Sequence, residues 1–318
     1  MLKNNQSIHN AALPAAKVNL SWIGWALGLA ATLGFSIATP LSRYAIVGGM
    51  SPTTLLLARL LLSMVFLGAY VMLTKPGQLK LDRRGLLAVV GMGLLNGVST
   101  LTFYESLRFL DASLAIMLFA ANPVVVLALL ALRGEKFTYR QTIRVGLALG
   151  GIYLLTGPGG AANWIGVLLV AATIVFFSIQ MVGVQWYLQA YDTTVVTFYI
   201  AAVATLVTAA WWWLLGEGWP GFSAQAWLSI ALLAIVSTFI ARLCFYDAIQ
   251  RLGSGQMALL MPTETLLAVI WSLLFLGERL TLLQWLGASL ILTSALLAIQ
   301  RLGRVRWPAR WRAWMLRD

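Results

Sequence analysis

Two arginines and one glutamate lie in stretches of the chain that are otherwise almost wholly apolar. Arg59 sits within SPTTLLLARLLLSMVF (51–66), Arg242 within LSIALLAIVSTFIARLCFY (228–246) and Glu264 within QMALLMPTETLLAVIWSLLFLG (256–277). An Arg or a carboxylate at the centre of a lipid-spanning helix costs about 2.5–3.5 kcal/mol on insertion scales, so such groups face a cavity or a partner. Arg59 has the chemistry to hold a carboxylate or phosphate, or to act in structure or gating through helix-end carbonyls. Arg242 either lines a cavity or snorkels to an interface. Glu264 follows Pro262 by two residues and is the most central carboxylate. Apolar burial disfavours its charged form, so it can take up and release a proton, unless it is fixed in an ion pair with Arg59 or Arg242. Asn122, directly before Pro123, is a neutral group of the same kind, and each proline frees a backbone carbonyl beside it. Gln180 and Gln185, with Ser178, either contact a solute or join helices. Tyr104 and Tyr246 add aromatic polar groups. Glu105 lies three residues before Arg108 and Asp247 four before Arg251, spacings that allow helical ion pairs with a structural or gating role. Glu135 and Glu278 read as interfacial.

The elements that position these residues follow from composition. The chain has 318 residues, 60% hydrophobic and 10% charged, with a mean hydropathy of +0.85. A soluble domain carries roughly 25% charged residues, so this chain must use lipid as solvent. A span needs about 20 apolar residues. Ten candidates follow, at 22–47, 53–73, 85–107, 112–132, 142–158, 164–189, 193–215, 224–250, 255–276 and 281–300, with 142–158 the shortest. The expected fold is therefore an all-α membrane protein with ten transmembrane helices.

The chain also describes itself twice. FYESLRFL (103–110) returns as FYDAIQRL (245–252), and GEKFT (134–138) as GERLT (277–281). An offset of 142 pairs Thr100 with Arg242 and Asn122 with Glu264. Five spans is an odd number, so the second copy enters the membrane upside down, giving two inverted five-helix repeats. The expected organisation is a tail at 1–21, a first repeat at 22–158, a second at 164–300 and a basic tail at 301–318. Glycines of GMGLLNG (91–97) serve close helix contact in this reading.

Cations set the orientation. With the N-terminus in the cytoplasm, 17 of the 22 Lys and Arg fall on the inner side and only Arg43, Arg108 and Arg279 on the outer, which is the positive-inside pattern. Both termini are then cytoplasmic, in the cell's inner (plasma) membrane. The tail alternates Arg with Trp307, Trp311 and Trp314, a pattern that can grip anionic headgroups. One cysteine, Cys244, and one histidine, His9, exclude a disulfide within the chain and a multi-ligand metal site. The net charge of +12 sits in loops and tail, so no nucleic-acid partner is expected.

On Pro52 with Arg59 seven residues on, Pro123 followed by Gly134 and Glu135, and the closing Gly277, Glu278 and Thr281, the chain resembles the drug/metabolite transporter superfamily and, within it, the EamA-type ten-helix transporters. The second copy departs from that pattern, with Leu266 where a strict repeat places proline. Glu105 and Asp247 also stand where the family more often has a small residue. The resemblance implies a secondary active transporter that exports amino acids, metabolites or drug-like amphipathic solutes, with a small-molecule substrate and no cofactor. A channel, a scaffold or an intramembrane enzyme are the alternatives. The apolar stretches hold no histidine, no paired-Asp metal motif and no Ser–His–Asp set. Proton coupling, monomer or homodimer, and the solute itself stay open at this point.

Overall fold

The computed structural model describes residues 22–75, 77, 79–131, 139–156, 163–219, 221, 223–257 and 260–299. Both tails, Gly134 and Glu135 lie outside these residues. The described residues are mostly helical, with no strand among them. Among the described residues, six helical segments are long and apolar enough to cross a membrane: Trp22–Val47, Pro52–Thr74, Arg83–Ser106, Trp164–Tyr187, Thr193–Leu214 and Ala226–Leu252. Shorter apolar helices occupy Ala112–Val126, Thr263–Phe275 and Leu282–Ser294. Large apolar side chains are exposed along the helices, among them Val65, Leu73, Leu206, Leu232, Leu274 and Leu282. That exterior is the surface lipid requires.

Several of the expected spans are interrupted within the bundle. The first is two helices, α1 (Trp22–Ser36) and α2 (Ala38–Val47), and is followed by α3 (Pro52–Thr74) and α4 (Arg83–Ser106). The fourth is α5 (Ala112–Phe119) and α6 (Asn122–Ala131). Pro123 explains this break: it has no N–H, and its ring displaces the carbonyl of Phe119, four residues earlier. The chain closes the gap with tighter bonds, Ala121 N–H to Leu118 O at 3.1 Å and Val124 N–H to Ala121 O at 3.0 Å. Next come α7 (Tyr139–Thr156), α8 (Trp164–Tyr187) and α9 (Thr193–Leu214). The eighth span is α10 (Ala224–Leu232), a π-helical segment (Leu233–Ile240) and α11 (Ala241–Leu252). The ninth is α12 (Ser254–Met257) and α13 (Met261–Phe275), with Pro262 in the first turn of α13, where a missing N–H costs nothing. Finally, α14 runs Leu282–Ile299.

Helix contacts come in matched pairs under the 142-residue shift. The shift relates α1 to α8 and α4 to α11, and correspondingly α4 packs on α8 while α1 packs on α11. Likewise α6 packs on α8 and α13 on α1, and the two fifth helices, α7 and α14, pack on each other. Most of these interfaces join the first half of the chain to the second, so neither half buries its inner face alone. Small residues allow the approach. A Cβ on Gly93 would stand 2.5 Å from Val203 Cβ, and one on Gly97 2.8 Å from Val207 Cβ, both on α9. The same motif's Gly91 faces nothing within 4 Å.

This contrast gives a paired test. Gly97→Val should lower stability in detergent by about 1–3 kcal/mol, the usual cost of overpacking, and Gly91→Val should change it little. Equal thermal unfolding midpoints for the two variants would show that α4 and α9 are not in close contact.

Candidate functional site

The π-helical segment and the interrupted first, fourth and ninth spans converge on one internal cavity. The wide turn of the π segment lets Thr238 Oγ1 reach the carbonyl five residues back, Leu233 O, at 3.0 Å. Such turns shift the register of the helix that follows. Here α11 follows, and it sends Arg242, Phe245 and Tyr246 to the cavity wall. From α13 comes Glu264, in the first turn of a helix that begins inside the bundle. Arg59 comes from α3, Asn96, Thr100 and Tyr104 from α4. The cavity volume is about 130 Å³, counted as room for the centres of water-sized molecules. One water needs roughly 10–15 Å³ on that measure, so the space suits a small solute rather than a single ordered water.

Five of the seven pathway candidates read from the sequence meet at this cavity: Arg59, Tyr104, Arg242, Tyr246 and Glu264. The other two stand behind it. Gln180 donates to the Tyr246 hydroxyl at 2.8 Å, and Asn122 donates to Ser178 Oγ at 2.8 Å. Asn122 and Glu264 each begin a half-span beside a proline, yet only Glu264 reaches the cavity. Gln185 lies at one end of the bundle, accepting from Ser254 N–H at 3.0 Å.

The charges are held without ion pairs. Arg59 is 4% exposed and Arg242 6%. The Arg59 guanidinium donates to the Tyr104 hydroxyl and stands 5.0 Å from the centre of that ring. Its Nε has no hydrogen-bond partner. Tyr104 is fixed in turn by Ser42 Oγ at 2.8 Å. Arg242 Nη1 donates to Asn96 Oδ1 at 2.9 Å. Among the described residues, neither arginine and not Glu264 takes part in an ion pair. The alternative in which Glu264 is locked to one of these arginines therefore has no counterpart among the described ion pairs.

Sequence reasoning passed over Asn96 and the rings of this wall. Phe103, Phe119, Phe177, Phe245 and Phe35 form an unbroken chain of contacts, with successive ring centres 5.8, 5.4, 6.1 and 5.6 Å apart. All five line the cavity. The signal was present in the repeat: Phe35 and Phe177 are 142 residues apart, as are Phe103 and Phe245. Asn96 lies inside GMGLLNG, where nothing in the sequence sets its face apart from that of the glycines.

Contacts between the halves flank the cavity at both ends of the bundle. At one end Glu217 accepts from Ser51 Oγ at 2.6 and 2.7 Å and from Thr54 Oγ1 at 2.7 Å. There Arg108 lies 3.3 Å from Glu105 and 3.8 Å from Glu217. Beside it, Glu278 accepts from the first free N–H groups of α5, at Ala112 and Ser113, both 3.0 Å. At the other end Lys75 pairs with Asp192 at 3.0 Å, Tyr199 OH donates to Leu79 O at 2.7 Å, and Tyr191 OH donates to Asp82 at 2.5 Å. Asp247 and Arg251 pair there at 3.1 Å. Pro123 and Pro262 act on the backbone of the two interrupted spans. No cluster of metal-ligating side chains occurs among the described residues.

The sequence model of the EamA-like transporter family matches residues 22–157 and, a second time, residues 164–300. The chain belongs to the EamA-like transporter family. It is thus a multi-pass membrane protein, built from two copies of one unit. The family unit at 22–157 supplies Phe35, Arg59, Asn96 and Tyr104 to the cavity, and that at 164–300 supplies Phe177, Arg242, Tyr246 and Glu264. Curated relatives include an uncharacterized transporter of Archaeoglobus fulgidus, 21% identical over 66% of this chain and 75% of its own. Another is the uncharacterized transporter YcbK of Bacillus subtilis, 25% identical over 86% of this chain and 91% of its own. A protein of known crystal structure superposes with a TM-score of 0.62 at 18% identity, covering 86% of this chain and 96% of that one. That likeness bears on the fold alone.

The Asp82–Tyr191 contact joins the two EamA units in a loop outside the spans and is open to titration. The Tyr191 hydroxyl holds the Asp82 carboxyl below its ordinary value of 3.8, with help from the Gly85 N–H it caps. Asp82 in turn raises the Tyr191 phenol. A carboxyl depressed on folding contributes stability above its unfolded pKa, and that contribution is lost as pH falls through the folded value. Tyr191→Phe should therefore destabilise the protein at neutral pH, with the difference from wild type shrinking below about pH 4. Unfolding midpoints across a pH series read this out, and a difference that persists unchanged at about pH 3 would contradict it.

Proposed function

We propose that this protein is a secondary active transporter that exports small metabolites, such as amino acids or drug-like amphipathic solutes, by alternating access. In this reading ten spans form two inverted five-helix repeats, at 22–158 and 164–300. Both termini are in the cytoplasm and the protein resides in the inner (plasma) membrane. Export is driven by proton entry through Glu264. Matched helix contacts between the halves support the two-state geometry, because similar units in opposite orientation have two nearly equivalent packings. The interrupted spans support it as well, since irregular backbone within a membrane protein is tolerated where it is buried in protein or lines a cavity. In the same reading the ties at the two ends, around Glu217 and Arg108 on one side and Asp82, Lys75 and Asp192 on the other, form and break in alternation.

The observation that carries the reading is the placement of Glu264. It is a carboxylate at the N-terminus of a half-span, in the wall of a cavity shared by both halves, with no ion-pair partner among the described residues. A structural glutamate at that depth would be held by a cation. One that is free to exchange with a solute or a proton has to be left without a fixed ion pair.

Purified protein in liposomes should show saturable flux of one class in an amino-acid and metabolite panel, accelerated by a proton gradient. Glu264→Gln should reduce the gradient-driven flux to the rate seen without a gradient, while the unfolding profile stays that of the wild type. A folded Glu264→Gln variant with wild-type gradient dependence would remove Glu264 from the coupling mechanism.

A further inference from the structure

The cavity is not electrically balanced. Among the described residues, two guanidiniums line it, each less than a tenth exposed, against one carboxylate. The hydrogen-bond acceptors of the guanidiniums among the described residues are neutral: a phenol for Arg59 and an amide oxygen for Arg242. A buried cation without a counter-charge is among the costliest features a fold can carry. Around it the protein supplies geometry rather than compensation. Asn96 orients one arm of the Arg242 fork, Tyr104 positions Arg59, and Arg59 Nε remains without an acceptor.

The asymmetry between the copies sharpens this. The aromatic wall is common to both halves, with Phe35 matching Phe177 and Phe103 matching Phe245. The charges are not common: Arg242 stands where the first copy has Thr100, and Glu264 where it has Asn122. The duplicated scaffold thus supplies an apolar aromatic surface, and unmatched charges are added to it, Arg59 from the first half and Arg242 and Glu264 from the second.

Solute classes can be weighed against these facts. A cation would face two guanidiniums and gain at most one carboxylate. A zwitterion could place its ammonium at Glu264, but it brings no net negative charge and leaves the cavity positive. Inorganic phosphate would meet the charge and leave the ring chain unused. An anionic group on a flat apolar body meets both requirements, and Arg forks are matched to planar oxyanions.

We infer that the solute is an organic anion, a carboxylate on an aromatic or similarly flat body, with its oxygens on Arg242 and Arg59 and its body against the Phe103–Phe119–Phe177–Phe245–Phe35 wall. This inference rests on the transporter reading above and narrows its solute from amino acids and amphipathic metabolites at large to organic anions. Arg242, oriented by Asn96, is the residue that selects for negative charge.

A charge series on one body tests it. 3-Phenylpropionate, 3-phenylpropionamide and 3-phenylpropylamine carry a negative, a neutral and a positive head, and L-phenylalanine adds the zwitterion. Titration calorimetry and ligand-shifted unfolding on the intact protein in detergent should show the carboxylate binding at least about tenfold tighter than the amide, the low end for a hydrogen bond to a charged group. The amine should bind most weakly of the four. In Arg242→Gln the preference for carboxylate over amide should collapse, and Arg242→Lys, which keeps the charge and is gentler on the fold, should retain part of it. An amide, amine or phenylalanine that binds as tightly as the carboxylate overturns the inference, as does a preference that survives intact in Arg242→Gln. Flux assays on the same four probes separate the two readings. Charge-selective binding without flux under any gradient would sink the transporter reading and leave the anion site. Flux of amine or zwitterion alone would sink the anion site and leave the transporter.

Discussion

Lipid offers no hydrogen bonds, and the whole structure depends on that constraint. Every polar group within the hydrocarbon region has to find its partner inside the protein. The buried hydroxyls do so locally, Thr32 to Gly28 O at 2.8 Å, Thr205 to Ala201 O at 2.7 Å and Ser272 to Ala268 O at 2.9 Å, each back to the carbonyl four residues before it. Arg59, Arg242, Asn96 and Glu264 cannot be satisfied that way. They are gathered instead around one cavity, which serves these four groups together, while Glu105, Asp247 and Arg251 pair at the ends of the bundle. The exterior is left to leucine, valine and aromatic rings.

Duplication explains how the cavity comes to lie between the halves. The main helix interfaces pair elements of one half with elements of the other, α1 with α11 and α4 with α8. Each copy of the EamA unit presents an inner face with phenylalanines at matching positions, Phe35 with Phe177 and Phe103 with Phe245, and the two faces close on each other. A wall made this way is apolar and nearly symmetric. Single-site changes then break the symmetry at low structural cost, since Thr100 and Arg242 occupy equivalent positions, as do Asn122 and Glu264.

The interrupted spans are the other half of the design. An unbroken helix satisfies its own backbone and presents only side chains to the interior. Where proline stands at 123 and 262, and where the π segment widens the eighth span, helix ends and carbonyls come to lie inside the bundle. These places also set the azimuth of Glu264 and Arg242. Cross-half ties at the two ends of the bundle differ in kind from this interior. They are exposed or half-exposed ion pairs and hydroxyl–carboxylate bonds, each weak enough to break and re-form.

Much of this was legible in the sequence, and some of it could not be. The apolar content dictates a membrane protein, and the recurrence of FYESLRFL as FYDAIQRL with GEKFT as GERLT dictates a duplicated chain. The rarity of charge in the spans marks Arg59, Arg242 and Glu264, because a charge in hydrocarbon needs a reason. The spacing of Glu105 to Arg108 and Asp247 to Arg251 puts each pair on one helix face, where the structure finds them 3.3 and 3.1 Å apart. Spacing along one helix cannot say which face meets which helix. So Asn122 and Gln180 read as cavity groups and are instead braces behind it, while Asn96 and the five phenylalanines read as ordinary span residues and are the wall. Whether Glu264 has a partner was likewise undecidable, since that depends on the distance between α13 and α3 or α11. A polar residue's neighbours within its own helix are fixed by the chain, and its neighbours across a cavity are fixed only by how the helices pack.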